Sequence, residues 1–482
     1  YMALSGDPVT GDEIDKDMAG IFMRLWNPDS SALKKRFNKC RAGISYIDTI
    51  GGLELVFDLL DQELPAGEEP QGFFTMPYGG MVIHRRDDWM VNQKGWSQYV
   101  WDYESGGTKK ENVYGRYCSY GALQIMSEST PAENGITVQD GWDWNRVPGA
   151  TTKYLPFDLL SSEVNDYAHR SFSDQTFLGG VSSRGQNGMF SMQLHDTQYD
   201  PSFYANKSSF FFDDEIICLG SGIQNADKDH ETETTLFQSG LNGDTAMPFY
   251  LNSTEPITEY PYEKTFTQGE TVWMMDPYGN GYYIPKAEGI HIIRNTQTSK
   301  DELDKDETQG EYTTAWIGHG KAPENAGYEY VIKVQTTPEK MEQYDGKTYE
   351  VLQKDDNAHI IKHIPSNTTA YAVFKTDQPI EQGILASADT PVMVMIKEDG
   401  ADKIVFSMSD PDLRLPKLPN QTMEEDTATT ASIGKTTVVT LKGEWKLSGE
   451  QEGIRVVKSE GGQTVIELDC IDGQTREMVL TK

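Results

Sequence analysis

Apolar residues recur every three to four positions between residues 12 and 60. Ile14, Met18, Ile21, Phe22 and Leu25 fall on one face, and Leu53, Val56, Phe57 and Leu60 repeat the spacing, which predicts amphipathic helices. Asn27-Pro28 closes the first of them, because the residue before a proline is pushed out of helical geometry. Leu64-Pro65-Ala66-Gly67-Glu68-Glu69-Pro70 is a Pro- and Gly-rich break, and beyond it the helical period gives way to short strands and turns. Ser208–Ile217, Thr271–Met275, Tyr328–Val334 and Ala370–Phe374 are rich in aromatic and β-branched residues and are separated by Gly, Asn, Asp and Pro, the pattern of successive strands. A further β segment opens near Asp389-Thr390-Pro391 with Val392–Ile396 and Lys403–Met408. An exposed connector is expected over Pro416–Thr430, and Thr436–Leu441, Ile454–Val457 and Thr464–Leu468 supply the last strands. Roughly 250 to 300 β residues exceed one ordinary sheet, so packed sheets are expected, with a small terminal sandwich after them.

The length of 482 residues predicts two or three domains. The 42 Lys+Arg against 75 Asp+Glu leave a net charge of −33, which repels nucleic acid, and no basic run offsets it. No apolar run approaches the ~18 residues of a membrane span. Cys40, Cys118, Cys218 and Cys470 are far apart and lack the paired spacing of a zinc or redox site. The chain opens at Tyr1 with no targeting pattern, which reads as a processed protein or a piece of a longer one.

Against this acidic background the stretch from His84 to Arg146 stands apart. It gathers Trp89, Trp96, Trp101, Trp142 and Trp144 among turns, and from His84 to Arg116 six basic residues meet five acidic ones, including Glu104. Aromatic faces pack on pyranose rings and guanidinium groups bind carboxylate or sulfate in bidentate fashion, so a cleft for an acidic polysaccharide is one reading. Ordinary amphipathic strands are the other. Trp142-Asp143-Trp144-Asn145-Arg146-Val147-Pro148-Gly149 reads either as a cleft edge or as a structural corner. Phe210–Ile223 predicts two strands joined at Asp213-Asp214, and Asp276–Gly281 a hairpin whose Asn280-Gly281 suits a type I′ turn. Asp227–Glu233 offers oxygen ligands of the kind calcium takes, without the glycine and spacing of an EF-hand, so a solvated acidic turn competes. No P-loop, dinucleotide fingerprint, His-Glu-x-x-His helix or nucleophile elbow is present.

Taken together, Gln71-Gly72-Phe73-Phe74, Ile83-His84-Arg85, Val100-Trp101-Asp102-Tyr103-Glu104, Tyr114-Gly115-Arg116-Tyr117, Gly141–Thr152, Phe210–Ile223, Glu233–Gln238, Tyr328-Glu329-Tyr330, Thr337–Met341 and Pro411-Asp412-Leu413 resemble polysaccharide lyase family eight, most closely its bacterial chondroitin sulfate ABC branch. The resemblance implies a mainly β fold: a large antiparallel β-sandwich (supersandwich) and a small C-terminal β-domain, preceded by the last helices of an α/α toroid. The expected limits are 1–66 for the helices, 67–388 for the sandwich and 389–482 for the terminal domain.

The resemblance also implies β-elimination, in which the C5 proton of a uronic acid leaves, the C4–O glycosidic bond breaks and an unsaturated uronate remains. No cofactor is needed for this, calcium being the one ion for which the acidic turn offers ligands. The family's Tyr, His and Arg come from the toroid and are expected before Tyr1, on the remainder of the same enzyme. Glu104 matches the family's β-domain glutamate, implied to orient the proton-transfer group. Arg85, Arg86, Trp101, Arg116 and Arg146 are the candidate substrate contacts, and His84, Tyr103, Tyr114 and Tyr117 are the residues from which a substitute Tyr/His pair would have to come. Chondroitin and dermatan sulfates, with hyaluronan as a further substrate, and a secreted or periplasmic location complete what the resemblance implies. A non-catalytic β-sandwich that binds acidic polysaccharide is the alternative.

Overall fold

The structure is a computed structural model that describes residues 70–103, 105, 112–127, 130–162, 171–416 and 431–482. The helices expected between residues 12 and 60, almost all of the Pro-rich break after them, and most of the 416–430 connector lie outside the described residues. Phe73–Lys482 forms one compact unit.

Its strands pair antiparallel in five sheets among the described residues. The largest has eight strands, in the order Tyr250–Leu251, Glu270–Met275, Gly281–Ala287, Ala326–Lys333, Glu215–Gln224, Tyr204–Phe212, Asn187–His195, Leu178–Ser183. Side chains alternate along a strand, so both faces of this sheet can be followed residue by residue. Phe211, Ile216, Cys218, Val272 and Met274 point into one core, whereas Phe210, Phe212, Ile217, Leu219, Trp273 and Met275 point into another. This explains why the Phe210–Ile223 segment is almost continuously apolar, as strands buried on both faces must be.

The first core is closed by the five-stranded sheet Tyr262–Phe266, Ile290–Lys300, Glu307–Lys321, Glu231–Gly240, Thr151–Lys153, which contributes Leu236, Ile290, Ile292, Ala315 and Ile317. A four-stranded sheet of Gly72–Met76, Met81–Arg86, Trp89–Lys94 and Ala122–Met126 adds Phe73, Val82 and Val91 to the same core. On the other side lies a seven-stranded sheet, Tyr349–Lys354, Ala358–His363, Thr368–Val373, Val392–Glu398, Lys403–Ser409, Arg476–Thr481, Lys446–Leu447. Its Ile361, Ala370, Ala372, Met393 and Met395 meet the eight-stranded sheet, while Ile360, Tyr371, Val373, Val394 and Ile396 face a third core. The strands Leu385–Ala388, Lys435–Lys442, Gln463–Cys470 and Ile454–Glu460 form the outer cover of that core. Gln463–Cys470 alternates buried and half-exposed positions as a sheet with one wet face should. The stack is a super-sandwich. Hydrogen bonding runs through the limit expected at Asp389, because Thr368–Val373 pairs directly with Val392–Lys397.

Polar seams fix how the layers sit. Buried His359 bridges Ser208 at 2.8 Å and Ser221 at 2.9 Å, so the seven-stranded sheet is tied to the eight-stranded one at a single register. Burial pushes this imidazole down to about 3, leaving one ring nitrogen to donate and the other to accept. Glu215, also buried, accepts from Thr348 at 2.7 Å and pairs with Lys333 at 3.3 Å.

Both expected hairpins form. Asp213-Asp214 joins its two strands, with Asp213 at φ 50°. In the second, the Asn-Gly turn is not used: strands end at Met275 and resume at Gly281, and the buried Asp276 carboxylate accepts from the backbone N–H groups of Tyr278 and Asn280, both at 2.9 Å. The side chain of Asp276 builds the turn, so a longer loop displaces the two-residue one.

Lys207 lies between the first two layers without a carboxylate partner. Its ammonium donates to the Gly149 carbonyl at 2.7 Å and to the Thr151 hydroxyl at 2.8 Å, and burial pulls it from 10.5 to about 7. Between these values the unfolded chain holds a proton that the folded chain lacks, so stability rises with pH across that window and the full penalty stands below it. Lys207→Met should remove one proton's share of the slope, about 1.4 kcal/mol per pH unit. Urea denaturation at several pH values through the window tests this; parallel curves for the two proteins would show that Lys207 is charged throughout.

Candidate active site

The aromatic stretch that suggests a cleft folds mostly inward. Trp89, Trp96, Trp142 and Trp144 are buried, and Trp101 alone of the five stays open, at 39% exposure. The reason is local. The described residues of 95–160 contain few strands and fill the edge of the first core with rings, so Trp96 stacks on Tyr120 and Tyr114 packs edge-on against Phe157. Trp142 meets Tyr312, and Trp144 donates its indole N–H to the Lys300 carbonyl at 2.8 Å.

The arginines are similarly committed. Arg146 forms a bidentate pair with Glu233, Nε at 2.8 Å and Nη2 at 3.1 Å, and reaches Asp143 at 3.3 Å. Trp316 and Tyr154 lie over its guanidinium at 3.6 and 4.4 Å. Asn145 bonds the backbone of Leu155 through both ends of its amide, and Gly149, at φ 76°, lies so close to Leu123 that a Cβ would sit 2.7 Å from its backbone nitrogen. The Asn145–Gly149 segment is therefore a structural corner. Arg116, 2% exposed, pairs with the fully buried Asp196 at 3.3 Å, donates to the Leu159 carbonyl at 3.1 Å and lies 3.7 Å over the Tyr199 ring. Arg86 donates to the Gln186 carbonyl and to Asn187 Oδ1, clamping one hairpin to another, and Arg85 is buried on the same strand. The positive charge of Arg86, Arg116 and Arg146 is thus spent on internal carboxylates, carbonyls and an amide oxygen.

What remains accessible is the platform at Trp101. Its ring meets Phe172 edge-on, and the backbone beyond it is fastened by Asp102. This carboxylate, 1% exposed, accepts from the N–H of Tyr103 at 2.7 Å and of Ser171 at 2.9 Å, while the Asp102 carbonyl accepts from the Ser119 hydroxyl. Burial raises Asp102 to about 7. Tyr103 is buried with its hydroxyl 3.2 Å from that of Tyr199, whose ring carries Arg116. Trp101, Tyr103, Tyr199, Arg116 and Asp196 are thus linked in one continuous cluster. Glu104 lies outside the described residues; its neighbours Tyr103 and Ser105 are both buried.

The residues considered for a substitute Tyr/His pair are placed apart. His84 is buried among Phe73, Trp89 and Phe211, donates Nε2–H to the Asp213 carbonyl at 2.7 Å, and is pushed down to about 3 by burial. Tyr114 donates to Asp304 and Tyr117 to the Lys153 carbonyl. In the acidic turn, Asp227 is taken up by Lys153 at 3.0 Å, by His230 at 2.9 Å and by the backbone N–H of Asp229. Among the described residues no group of His, Cys, Asp and Glu is arranged to hold a metal ion.

Residues 71–345 match the super-sandwich domain of polysaccharide lyase family 8. The chain belongs to that family. It is 33% identical, along its whole length, to a chondroitin sulfate ABC exolyase of Bacteroides thetaiotaomicron, of which it covers 48%. It is 34% identical over 86% of its length to a chondroitin sulfate ABC endolyase of Proteus vulgaris, covering 39% of that protein. The chain therefore spans about half the length, or less, of these curated relatives. Among solved structures, a Paenibacillus xanthan lyase shares the fold over 90% of this chain and 40% of that one, with a TM-score of 0.72 at 21% identity. The family 8 match ends at residue 345, just before the seven-stranded sheet begins at Tyr349.

Within this family 8 chain, Asp102, Phe172, Asp196 and Tyr199 belong to the cluster although the sequence alone did not single them out. Two signals were available: Asp102 adjoins Trp101, and Asp196–Asp200 is a polar run holding a tyrosine between two strong strands.

Removing either paired arginine strands a buried carboxylate, at a cost of about 3–5 kcal/mol. Arg116→Ala and Arg146→Ala should each lower the melting temperature markedly, and Trp101→Ala should scarcely change it. Calorimetric melting curves decide; an Arg146→Ala protein that melts like the parent would assign that guanidinium to a ligand instead of to Glu233.

Proposed function

We propose that this chain is the β-sandwich portion of a glycosaminoglycan lyase that cleaves chondroitin and dermatan sulfates, and hyaluronan as a further substrate, by β-elimination. The observation that carries the reading is the family 8 match over residues 71–345, joined to 33% identity along the whole chain with a protein named as a chondroitin sulfate ABC exolyase. The C5 proton beside a uronate carboxylate is weakly acidic. A site for this reaction must offset the carboxylate's charge, stabilise the enolate, take the proton and protonate the leaving oxygen. In this reading a His, a Tyr and an Arg on the remainder of the enzyme do that work, with Glu104 orienting the proton-transfer group. The tethered Trp101 supplies a stacking face for a sugar ring, and the buried arginines hold the surrounding loops in shape. The helices would occupy 1–66, the sandwich 67–388 and the terminal domain 389–482. Secretion, or export to the periplasm, fits a polymeric extracellular substrate.

A second reading has its own support. His84, Tyr114 and Tyr117 each bond to a separate partner and do not form a Tyr/His pair with one another, which favours polysaccharide binding without cleavage by this chain alone.

Ultraviolet absorbance of the unsaturated uronate separates the two. With chondroitin sulfate, product is expected from the longest product of the gene and not from this chain by itself; no product from the former would defeat the lyase reading. In the active protein, Glu104→Gln should lower turnover about 100-fold, and full activity would remove Glu104 from the mechanism. Trp101→Ala should raise KM about 3- to 10-fold through lost stacking with little change in kcat; an unchanged KM would leave that ring without a role in binding.

A further inference from the structure

We infer that a groove at one end of the eight-stranded sheet is a second saccharide site, one suited to an uncharged pyranose ring. The groove holds about 150 Å³ and arises from a flaw in strand pairing. The Tyr204–Phe212 strand slips register against Glu215–Gln224 between Tyr204 and Asn206, and opposite the slip Gly222 turns to φ 58°. A Cβ on Gly222 would sit 2.5 Å from Oδ1 of Asp356. The missing side chain therefore admits the Asp356 carboxylate, which reaches over from the turn that precedes Ala358–His363.

The lining is unlike that of an ion site or an apolar pocket. Asn206, nine-tenths buried, accepts from Gln193 Nε2 at 3.2 Å, which leaves the Asn206 amide N–H groups and the Gln193 carbonyl oxygen side by side as donor and acceptor. Gln224, Asp356 and Lys375 stand exposed around them, and none of their side chains hydrogen-bonds to the protein among the described residues. One carboxylate and one ammonium give a lining with no net charge. Tyr204 forms a fixed wall: its ring stacks on His195 at 3.9 Å and 11°, and that imidazole is held by Asp174 at 2.6 Å and by the Pro201 carbonyl at 3.0 Å.

Vicinal hydroxyl and acetamido groups each combine donor and acceptor, which is what paired amides, a carboxylate and an ammonium can answer, while a rigid aromatic ring packs on C–H groups. A sulfate or uronate would need a surplus of cations that the groove lacks. Its position suggests a use. The loop of the same hairpin carries Asp196 and Tyr199, and the Gln175 carbonyl, on the groove's edge, accepts from the N–H of Gln98 at 2.8 Å, three residues from Trp101. If the lyase reading holds, the groove grips an unsulfated N-acetylhexosamine ring of the polymer away from the ring being cleaved; the binding itself does not depend on that reading.

The test uses this chain and a trimer of N-acetylglucosamine as an uncharged probe, with glucuronate as the anionic comparison, followed by titration calorimetry. The trimer should bind more tightly than glucuronate, and the exposed pair Asp356→Ala/Lys375→Ala should weaken it about tenfold. Equal binding by parent and double variant, or no binding of the trimer, would each overturn the assignment. In the longest product of the gene the double variant should raise KM for long unsulfated chondroitin and leave kcat on a tetrasaccharide unaltered. Absence of lyase activity there would count against the proposed reaction alone, because the calorimetry stands by itself.

Discussion

An eight-stranded sheet with Phe210 and Phe212 on one face and Phe211 on the other cannot stand in water without cover on both sides. Each fully buried large apolar side chain contributes about 1.5–3 kcal/mol relative to exposure, so neither face could be left open. The rest of the structure answers this requirement. The five-stranded sheet closes one side, the seven-stranded sheet closes the other, and because the latter also carries apolar residues on both faces it needs a fourth layer. The polar bridges through His359 and Glu215 contribute little burial of apolar area, but they determine the register in which the layers meet.

Function is displaced to the margins of such a stack, where strands end and loops begin. Arg116 and Arg146 lie there, yet each is held by buried carboxylates and aromatic faces. Pairs of this kind add modestly to stability when intact and cost much when broken, so they act as fasteners for loops that lack ladder hydrogen bonds. The cluster behind Trp101 follows the same rule with a different part: one buried carboxylate, Asp102, binds the backbone N–H of the next residue, Tyr103, and that of Ser171, 69 positions away.

The strands were legible because their chemistry is local. Val392–Ile396, Lys403–Met408 and Thr464–Leu468 appear where β-branched runs and turn residues put them, and the unbroken apolar run at Ile216–Leu219 already carried the mark of burial on two faces. The candidate site was harder to read, because what a tryptophan or arginine does depends on partners that are remote in the chain. Nothing near Arg146 announces Glu233, 87 positions away, and nothing near Asp102 announces Ser171. Composition could count five tryptophans in one stretch but could not say which side of each ring would meet water. The Asp276 turn shows the same limit at short range: Asn280-Gly281 has a strong turn preference of its own, and a carboxylate four residues earlier overrides it.

The burial of four tryptophans beside one open one has an optical meaning. Trp273, Trp316 and Trp445 are also enclosed, so among the described residues the indole that meets water is that of Trp101. Collisional quenchers that cannot enter a packed interior would act on that ring ahead of its neighbours. Among the described residues, the surface that the proposed function gives to a polymer therefore carries the one open indole, because the loops around it enclose the other rings.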